Sequence, residues 1–148
     1  MKNNYTALRG LLWLICIYHV SIGVVAFMPA QVVRDSARVL LGLVLPDTPA
    51  LFQVVKSLGV YAFVFGVMMG VAAWNPVKNR ALITVGVVLF GLRIVQRLAN
   101  LDELEHSFRV STARNLGTVG VVAVIGVALA WLRMQVYRDM RRGGGEGV

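Results

Sequence analysis

The sequence predicts an all-α fold, an integral membrane four-helix bundle with an amphipathic interfacial helix between its first two spans. Hydrophobic residues make up 57% of the 148-residue chain and its mean hydropathy is +0.71, which is more apolar surface than one soluble core of this size can bury. A helix of about 18 residues rises about 27 Å, close to the hydrocarbon thickness of a bilayer. Four apolar stretches reach roughly that length: Leu8–Phe27, Ser57–Trp74, Ala81–Ala99 and Asn115–Leu132.

Lys2 and Arg9 precede the apolar run Gly10–Phe27 of the first span, an arrangement that resembles a secretory signal peptide. Its apolar run is longer than the about 7–15 residues of a typical signal peptide, and residues 27–30 lack an A-x-A-like cleavage site. We therefore expect this run to remain in the protein as an uncleaved membrane span.

The connection between spans one and two has a helical pattern of its own, between Pro29 and Pro46. Its two faces differ in polarity, which predicts an interfacial helix in the outer headgroup region. A helix that caps the bundle by packing on the other spans would show the same pattern. The apolar face comprises Val33, Ala37, Leu40, Leu41 and Val44, and the polar face comprises Gln31, Arg34, Asp35 and Arg38.

Small residues at intervals of four mark one face of span two, where Ala62, Gly66 and Gly70 recur. Such a strip lets another helix backbone approach closely, so these residues are candidate helix-packing residues. The spacing leaves open whether the partner helix belongs to the same bundle or to another subunit. Span four carries a similar set of small residues, from Gly117 to Ala130.

One membrane domain, residues 1–142, accounts for nearly the whole chain, and the glycine-rich residues 143–148 are predicted to be a flexible tail. The net charge is +8, but the lysines and arginines flank the spans, which indicates membrane topology and contacts with lipid headgroups rather than nucleic-acid binding. They are more numerous on the side of both termini, and Trp13, Trp74 and Trp131 lie toward the same side. We expect a multi-pass protein of the cell membrane, specifically a bacterial inner membrane, with cytoplasmic termini.

Span three becomes polar in its second half, where Arg93, Gln96, Arg97 and Asn100 share one helical face. A charge at membrane depth costs at least ~2.5 kcal/mol, so this stripe should point into the bundle. With Lys56 and Arg114, at the outer ends of spans two and four, it predicts a net-basic pocket in the outer half of the bundle. A guanidinium suits a carboxylate, a phosphate or a quinone carbonyl. Alternatively, the acidic residues that follow span three, Asp102, Glu103 and Glu105, pair with these cations and only fasten the outer ends.

His19 lies near the middle of span one and is a candidate proton relay, paired with Arg93 or Glu103. A neutral histidine that is hydrogen-bonded across helices is the other interpretation. The second histidine, His106, is too far along span three to share a haem or metal, and Cys16 is the only cysteine. We expect no metal site and no cofactor.

In the order of its spans the chain resembles the small DoxX-like and BphX-like tetraspan membrane proteins of bacteria. The resemblance covers most of the chain. It consists of a first span ending at residues 27–29, an amphipathic outer segment, a second span opening at residues 52–59, and the polar half of the third span. Some members of that group lie beside membrane or quinone-linked oxidoreductases, so the resemblance implies an accessory membrane subunit.

The leading hypothesis is therefore a non-catalytic accessory subunit of a larger membrane complex that binds lipid or quinone near Arg93 and Arg97. The alternative is a small oligomeric transporter or channel, in which the stripe lines a path for an anion or protons and His19 lies further along it. A redox enzyme that uses His19 with a cofactor is a third hypothesis, although no catalytic motif occurs. The expected partners are membrane lipids and other membrane subunits or further copies of the chain.

Overall fold

The computed structural model describes residues 2–108 and 110–143, and within these residues the chain is helical without any β-strand. The prediction of an all-α protein is confirmed. Helix α2 continues directly into a π-helical segment, Ala37–Leu41. The α-helices in chain order are α1 (Lys2–Val25), α2 (Ala30–Ser36), α3 (Pro49–Trp74), α4 (Arg80–Ala99), α5 (Leu101–Phe108) and α6 (Thr112–Gly143).

Four of these helices, α1, α3, α4 and α6, are long and apolar enough to cross a membrane. Each contains one of the predicted spans almost entirely, but α3 starts well before Ser57 and α6 continues well beyond Leu132. Helix α3 begins at Pro49, directly after the extended residue Thr48. Proline lacks a backbone N–H, but the first residue of a helix has no carbonyl partner for that N–H, so no hydrogen bond is lost. The span predictions followed apolar residues alone, whereas a helix also accepts polar residues at its ends.

The four long helices form an up-and-down bundle. Helix α1 packs most closely against α3, and α4 packs most closely against α6; α1 also meets α6, and α3 meets α4. Each neighbour in this ring runs antiparallel to the next, because consecutive long helices cross the bundle in opposite directions. We call the end that carries the start of α1, the end of α6 and the 75–79 turn the terminal end, and the opposite end the loop end.

The interface between α1 and α3 depends on glycine at its closest points. A Cβ placed on Gly23 would lie 2.6 Å from the Cβ of Phe63, and one placed on Gly66 would lie 2.8 Å from the backbone nitrogen of Val20. Both separations are shorter than atoms tolerate, and in the second case the obstacle is backbone. The two helices approach as closely as they do because these positions lack side chains.

Apolar side chains fill the interior of the terminal half of the bundle. All four long helices contribute, so this half is a packed core with a single continuous cluster. Phe65 and Phe90 close the cluster toward the loop end, with ring centroids 6.3 Å apart. The largest fully buried apolar side chains are Leu8, Leu12, Ile15, Met69, Ile83 and Leu129.

The connection between α1 and α3 folds back on the loop end of the bundle. The predicted helix is present, and Val33 and Ala37 are buried as its pattern indicates. Val44 was assigned to the same apolar face, but it is 48% exposed. The reason is that the helix ends before it, since Gly42 has a φ of 70° and turns the chain. The side chains of Leu40 and Leu41 lie outside the described part.

An ion pair orders the return of this connection to α3. Arg34 Nη1 lies 2.7 Å from Asp47 Oδ1, and the Arg34 guanidinium lies 5.6 Å from the centre of the Phe52 ring. Arg114 of α6 donates a hydrogen bond of 3.3 Å to the carbonyl oxygen of Val39. These contacts tie the connection to both α3 and α6.

Helix α5 and the predicted C-terminal tail are the two remaining features to compare with the sequence predictions. Helix α5 was not predicted, although Leu101, Leu104 and Phe108 recur at helical spacing in its eight residues; Asp102 and Glu103 in its first turn suit the positive end of the helix dipole. The predicted tail starts at Gly143, which is the last residue of α6, and residues 144–148 lie outside the described part of the chain.

Candidate functional site

The first half of the site joins α1 to α4 through His19 and Arg93. His19 is only 4% exposed, and its Nε2 lies 3.3 Å from Arg93 Nη1. Its Nδ1 lies 2.9 Å from the carbonyl oxygen of Ile15. A carbonyl only accepts and a guanidinium only donates, so both hydrogen bonds require a neutral imidazole with its proton on Nδ1. His19 therefore acts as a donor along its own helix and as an acceptor across the bundle.

Aromatic rings surround the other sides of His19. The ring centroids of Tyr18, Phe65 and Phe90 lie 5.1, 4.8 and 6.3 Å from that of His19, each in an edge-on arrangement. The imidazole thus caps the apolar core of the terminal half, and its free ring nitrogen is turned toward Arg93. This layer separates the polar groups of the loop end from the interior of the terminal half.

The second half of the site joins α4 to α6 through Arg97 and Asn115. Arg97 Nη1 donates a hydrogen bond of 2.7 Å to Asn115 Oδ1. Asn115 is 1% exposed, and its Nδ2 has no hydrogen-bond partner in the described part of the chain. A buried donor left in this state costs about 1–3 kcal/mol, so an additional oxygen acceptor near Asn115 would be stabilising.

The charges of the two arginines are not compensated by carboxylates. Arg93 and Arg97 are one helical turn apart, and each bonds to a neutral side chain. Among the side chains that the structure describes, no carboxylate forms an ion pair with either of them. Pairing with Asp102, Glu103 or Glu105, the alternative interpretation of the sequence, is absent there, and Glu105 instead accepts a hydrogen bond of 2.6 Å from Thr112.

The structure brings together only part of the predicted basic pocket. Gln96 and Asn100 are exposed, and the Asn100 side chain bonds to the backbone of its own helix, at Gln96 O, over 2.8 Å. Arg114 reaches the connection after α1 instead of the stripe. Lys56 is exposed on α3 and makes no polar side-chain contact with the described residues. The site that remains consists of His19, Arg93, Arg97 and Asn115, which we call the polar ladder.

Asn115 was not among the predicted site residues. The signal that could have identified it is an amide inside the first turn of an otherwise apolar span, since polar groups at such positions face a partner. Its partner, however, lies on another helix, and no local pattern in the sequence connects Arg97 to it.

The strip of small residues on α3 packs against α1 of the same chain. Gly66 lies against Val20, and a Cβ on Gly70 would lie 2.9 Å from Cys16 Sγ; Ala62 is partly buried. Beside this contact, toward the terminal end, Trp13, Trp74 and their neighbours line a shallow apolar groove. The groove is separate from the polar ladder and contains no charged side chain.

Among the described residues no three His, Cys, Asp or Glu side chains gather where a metal ion would bind. No protein-family model matches the chain, and neither a curated protein nor a solved structure matches it. The fold and the site define an all-helical protein with four helices of membrane-spanning length and a polar ladder across one end.

Proposed function

We propose that this chain is a multi-pass protein of the bacterial inner membrane with cytoplasmic termini, in which it serves as a non-catalytic accessory subunit. Its specific task is to hold the headgroup of a lipid or a quinone at Arg93 and Arg97. The four long helices support the membrane placement, and the lysines and arginines that flank the spans at the terminal end support cytoplasmic termini. The resemblance in span order to the DoxX-like and BphX-like proteins supports the accessory role.

The observation that carries the binding proposal is the pair of uncompensated guanidinium groups. Each group has five N–H donors, and each spends one of them on a neutral partner. Taking a positive charge into a bilayer without a counter-charge is costly, which favours a ligand with oxygen acceptors. Lipid headgroups and quinone carbonyls both supply such acceptors.

The position of the arginines also suits a ligand that arrives sideways from the bilayer. Arg93 and His19 each lie about 9 Å along the helix axis from the loop end of their helices, Ala99 and Val25, at about 1.5 Å per residue. Arg93 remains exposed on the surface of the bundle while one of its nitrogens reaches His19. A headgroup at this depth can contact Arg93 without entering the core.

The transport alternative receives less support from the fold. A path for an anion or protons along the axis of one bundle would have to pass the layer formed by His19, Phe65 and Phe90 and then the filled apolar core. Transport would therefore require several copies or a large rearrangement. Flux of an anion or protons in liposomes that disappears in Arg93→Ala would favour the transport alternative. Flux that is unchanged in Arg93→Ala would contradict it.

Native mass spectrometry of the protein purified in mild detergent, with an optical spectrum, tests the binding proposal. We expect the wild type to retain a lipid or quinone and to copurify with a larger partner. The double variant Arg93→Ala with Arg97→Ala should lose the ligand. Arg38→Ala is the matched control, because Arg38 is an exposed arginine at the same end that makes no polar side-chain contact with the described residues. Wild-type protein without bound ligand or partner would contradict the proposal.

A further inference from the structure

We infer that the ligand group recognised by the polar ladder is a phosphate, held jointly by Arg93, Arg97 and Asn115. The inference rests on the proposed binding role and narrows it from lipid or quinone to one chemical class. The ligand that fits is an anionic phospholipid, since access to Arg93 is from the side of the bundle.

Charge distinguishes the two ligand classes. A quinone carbonyl is a neutral acceptor, so binding it would leave two positive charges one helical turn apart at membrane depth. A phosphate brings at least one negative charge and several oxygen acceptors, so it neutralises the site while accepting from both guanidinium forks. Basic residues between membrane helices recognise lipid phosphates by the same means.

The partners of the arginines keep this charge available. Had His19 or Asn115 been a carboxylate, its arginine would have been neutralised within the protein. Instead, His19 holds Arg93 through a lone pair, and Asn115 holds Arg97 through an amide oxygen. The two arginines are thus held in position by neutral partners and keep their positive charges, as an anion-binding site requires.

Asn115 supplies an independent indication of an additional oxygen acceptor. Its Oδ1 is occupied by Arg97, and its Nδ2 is buried without an acceptor among the described residues. A phosphate seated beside Arg97 has oxygens to spare for this donor, whereas a quinone carbonyl has a single oxygen to share among the three side chains.

The experiment measures retention of defined ligands by native mass spectrometry after exchange into delipidating detergent. The probes are phosphatidylglycerol, a short-chain benzoquinone and inorganic phosphate. Asn115→Asp is the informative variant, because it keeps the size of the side chain and gives Arg97 a carboxylate partner. We expect it to lower phosphatidylglycerol retention about fivefold, the effect of removing one basic charge from a lipid site.

Two further variants make the result interpretable. Arg97→Gln removes the positive charge that Asn115→Asp would neutralise. It should therefore lower phosphatidylglycerol retention by a similar factor. Gln53→Glu is the control, since it adds an equivalent negative charge at an exposed position of α3 at the same end. Circular dichroism and a single size-exclusion peak establish that each variant is folded.

The outcomes separate the inference from the proposed function. Phosphatidylglycerol retained by the wild type and by Gln53→Glu, and weakened in the other two variants, supports the phosphate. Displacement of phosphatidylglycerol by millimolar inorganic phosphate also supports the inference, and it would show that the site also accepts a free phosphate ion. Retention of the quinone but not of phosphatidylglycerol overturns the inference and leaves the binding role standing. Retention of neither overturns both, and phosphatidylglycerol retention unchanged in folded Asn115→Asp and Arg97→Gln also overturns the inference.

Discussion

At the residue scale, the contact between His19 and Arg93 shows how a bundle of helices of membrane-spanning length accommodates an arginine without a carboxylate. The imidazole is held in place by the Ile15 carbonyl and by three aromatic rings, so its free nitrogen is fixed toward Arg93. The hydrogen bond orients the guanidinium but adds no negative charge. A side chain of similar size without an acceptor would leave a polar group of Arg93 unpaired.

The first prediction concerns this acceptor. His19→Leu should destabilise the protein by about 1–3 kcal/mol, because it removes the partner of a partly buried charged donor. His19→Gln should cost less, since its amide oxygen can still accept from Arg93. Thermal unfolding in detergent, followed by circular dichroism, measures both effects.

The control for this prediction is the second histidine. His106 is exposed, and its ring bonds only to the carbonyl of Asp102 on its own helix, over 2.7 Å. His106→Leu should therefore change stability by no more than about 0.5 kcal/mol. Equal losses from His19→Leu and His106→Leu would show that the contact with Arg93 contributes nothing.

At the scale of elements, the bundle consists of two close helix pairs, α1 with α3 and α4 with α6. Glycines at the first interface let the backbones approach, whereas a Cβ on Gly117 of α6 would have no atom of another helix within 4 Å. Two glycines in similar helices thus have opposite surroundings. The same substitution should have opposite effects at the two positions.

The second prediction follows from that difference. Gly66→Ala should lower stability by about 1–3 kcal/mol, because the new Cβ would meet Val20 and the carbonyl of Cys16 and the helices would have to separate. Gly117→Ala should be neutral or stabilising, by up to about 1 kcal/mol, because alanine is the better helix former. Thermal unfolding of both variants in the same detergent gives the comparison. Loss of stability in Gly117→Ala and not in Gly66→Ala would mean that the close backbone contact is made by α6 and not by α3.

At the scale of the whole molecule, the two ends of the bundle differ in chemistry. The terminal half is an apolar core, and the loop end carries the polar ladder, the folded connection and α5. In the proposed orientation the terminal end lies in the cytoplasm, as the positive-inside rule indicates for the lysines and arginines that flank the spans there. The polar ladder then faces the outer leaflet.

The third prediction tests this orientation. A cysteine introduced by Asp47→Cys should react with a membrane-impermeant maleimide in intact cells, and one introduced by Lys78→Cys should react only after lysis. The background is low because Cys16 is the only cysteine of the chain and is buried. The opposite labelling pattern would show that the topology is inverted and that the polar ladder lies at the inner leaflet.

The number of the long helices could be predicted because it depends on local properties, whereas the start of α3 at Pro49 and the end of α6 at Gly143 could not, because polar residues continue both helices beyond their apolar spans. Apolar length marks a helix that lipid can cover, and the four-residue spacing of Arg93 and Arg97 fixes their common face. Helix α5 was missed although its apolar residues Leu101, Leu104 and Phe108 recur at helical spacing, because a search for long apolar spans does not detect a helix of eight residues. Gln96 and Asn100 share the helical face of the arginines but do not contact His19 or Asn115. A common face shows only that residues point in a similar direction, not that each reaches a partner on a neighbouring helix.

The sequence by itself determined an all-α chain with four helices of membrane-spanning length, a helical connection and an arginine pair near one end. Only the tertiary structure decided that Arg93 meets His19, that Arg97 meets Asn115, and that the glycines of α3 receive α1. Helices follow from the periodicity of neighbouring residues. Partners depend on which helices are adjacent and how each is rotated about its axis, and these quantities are set by packing among residues far apart in the chain.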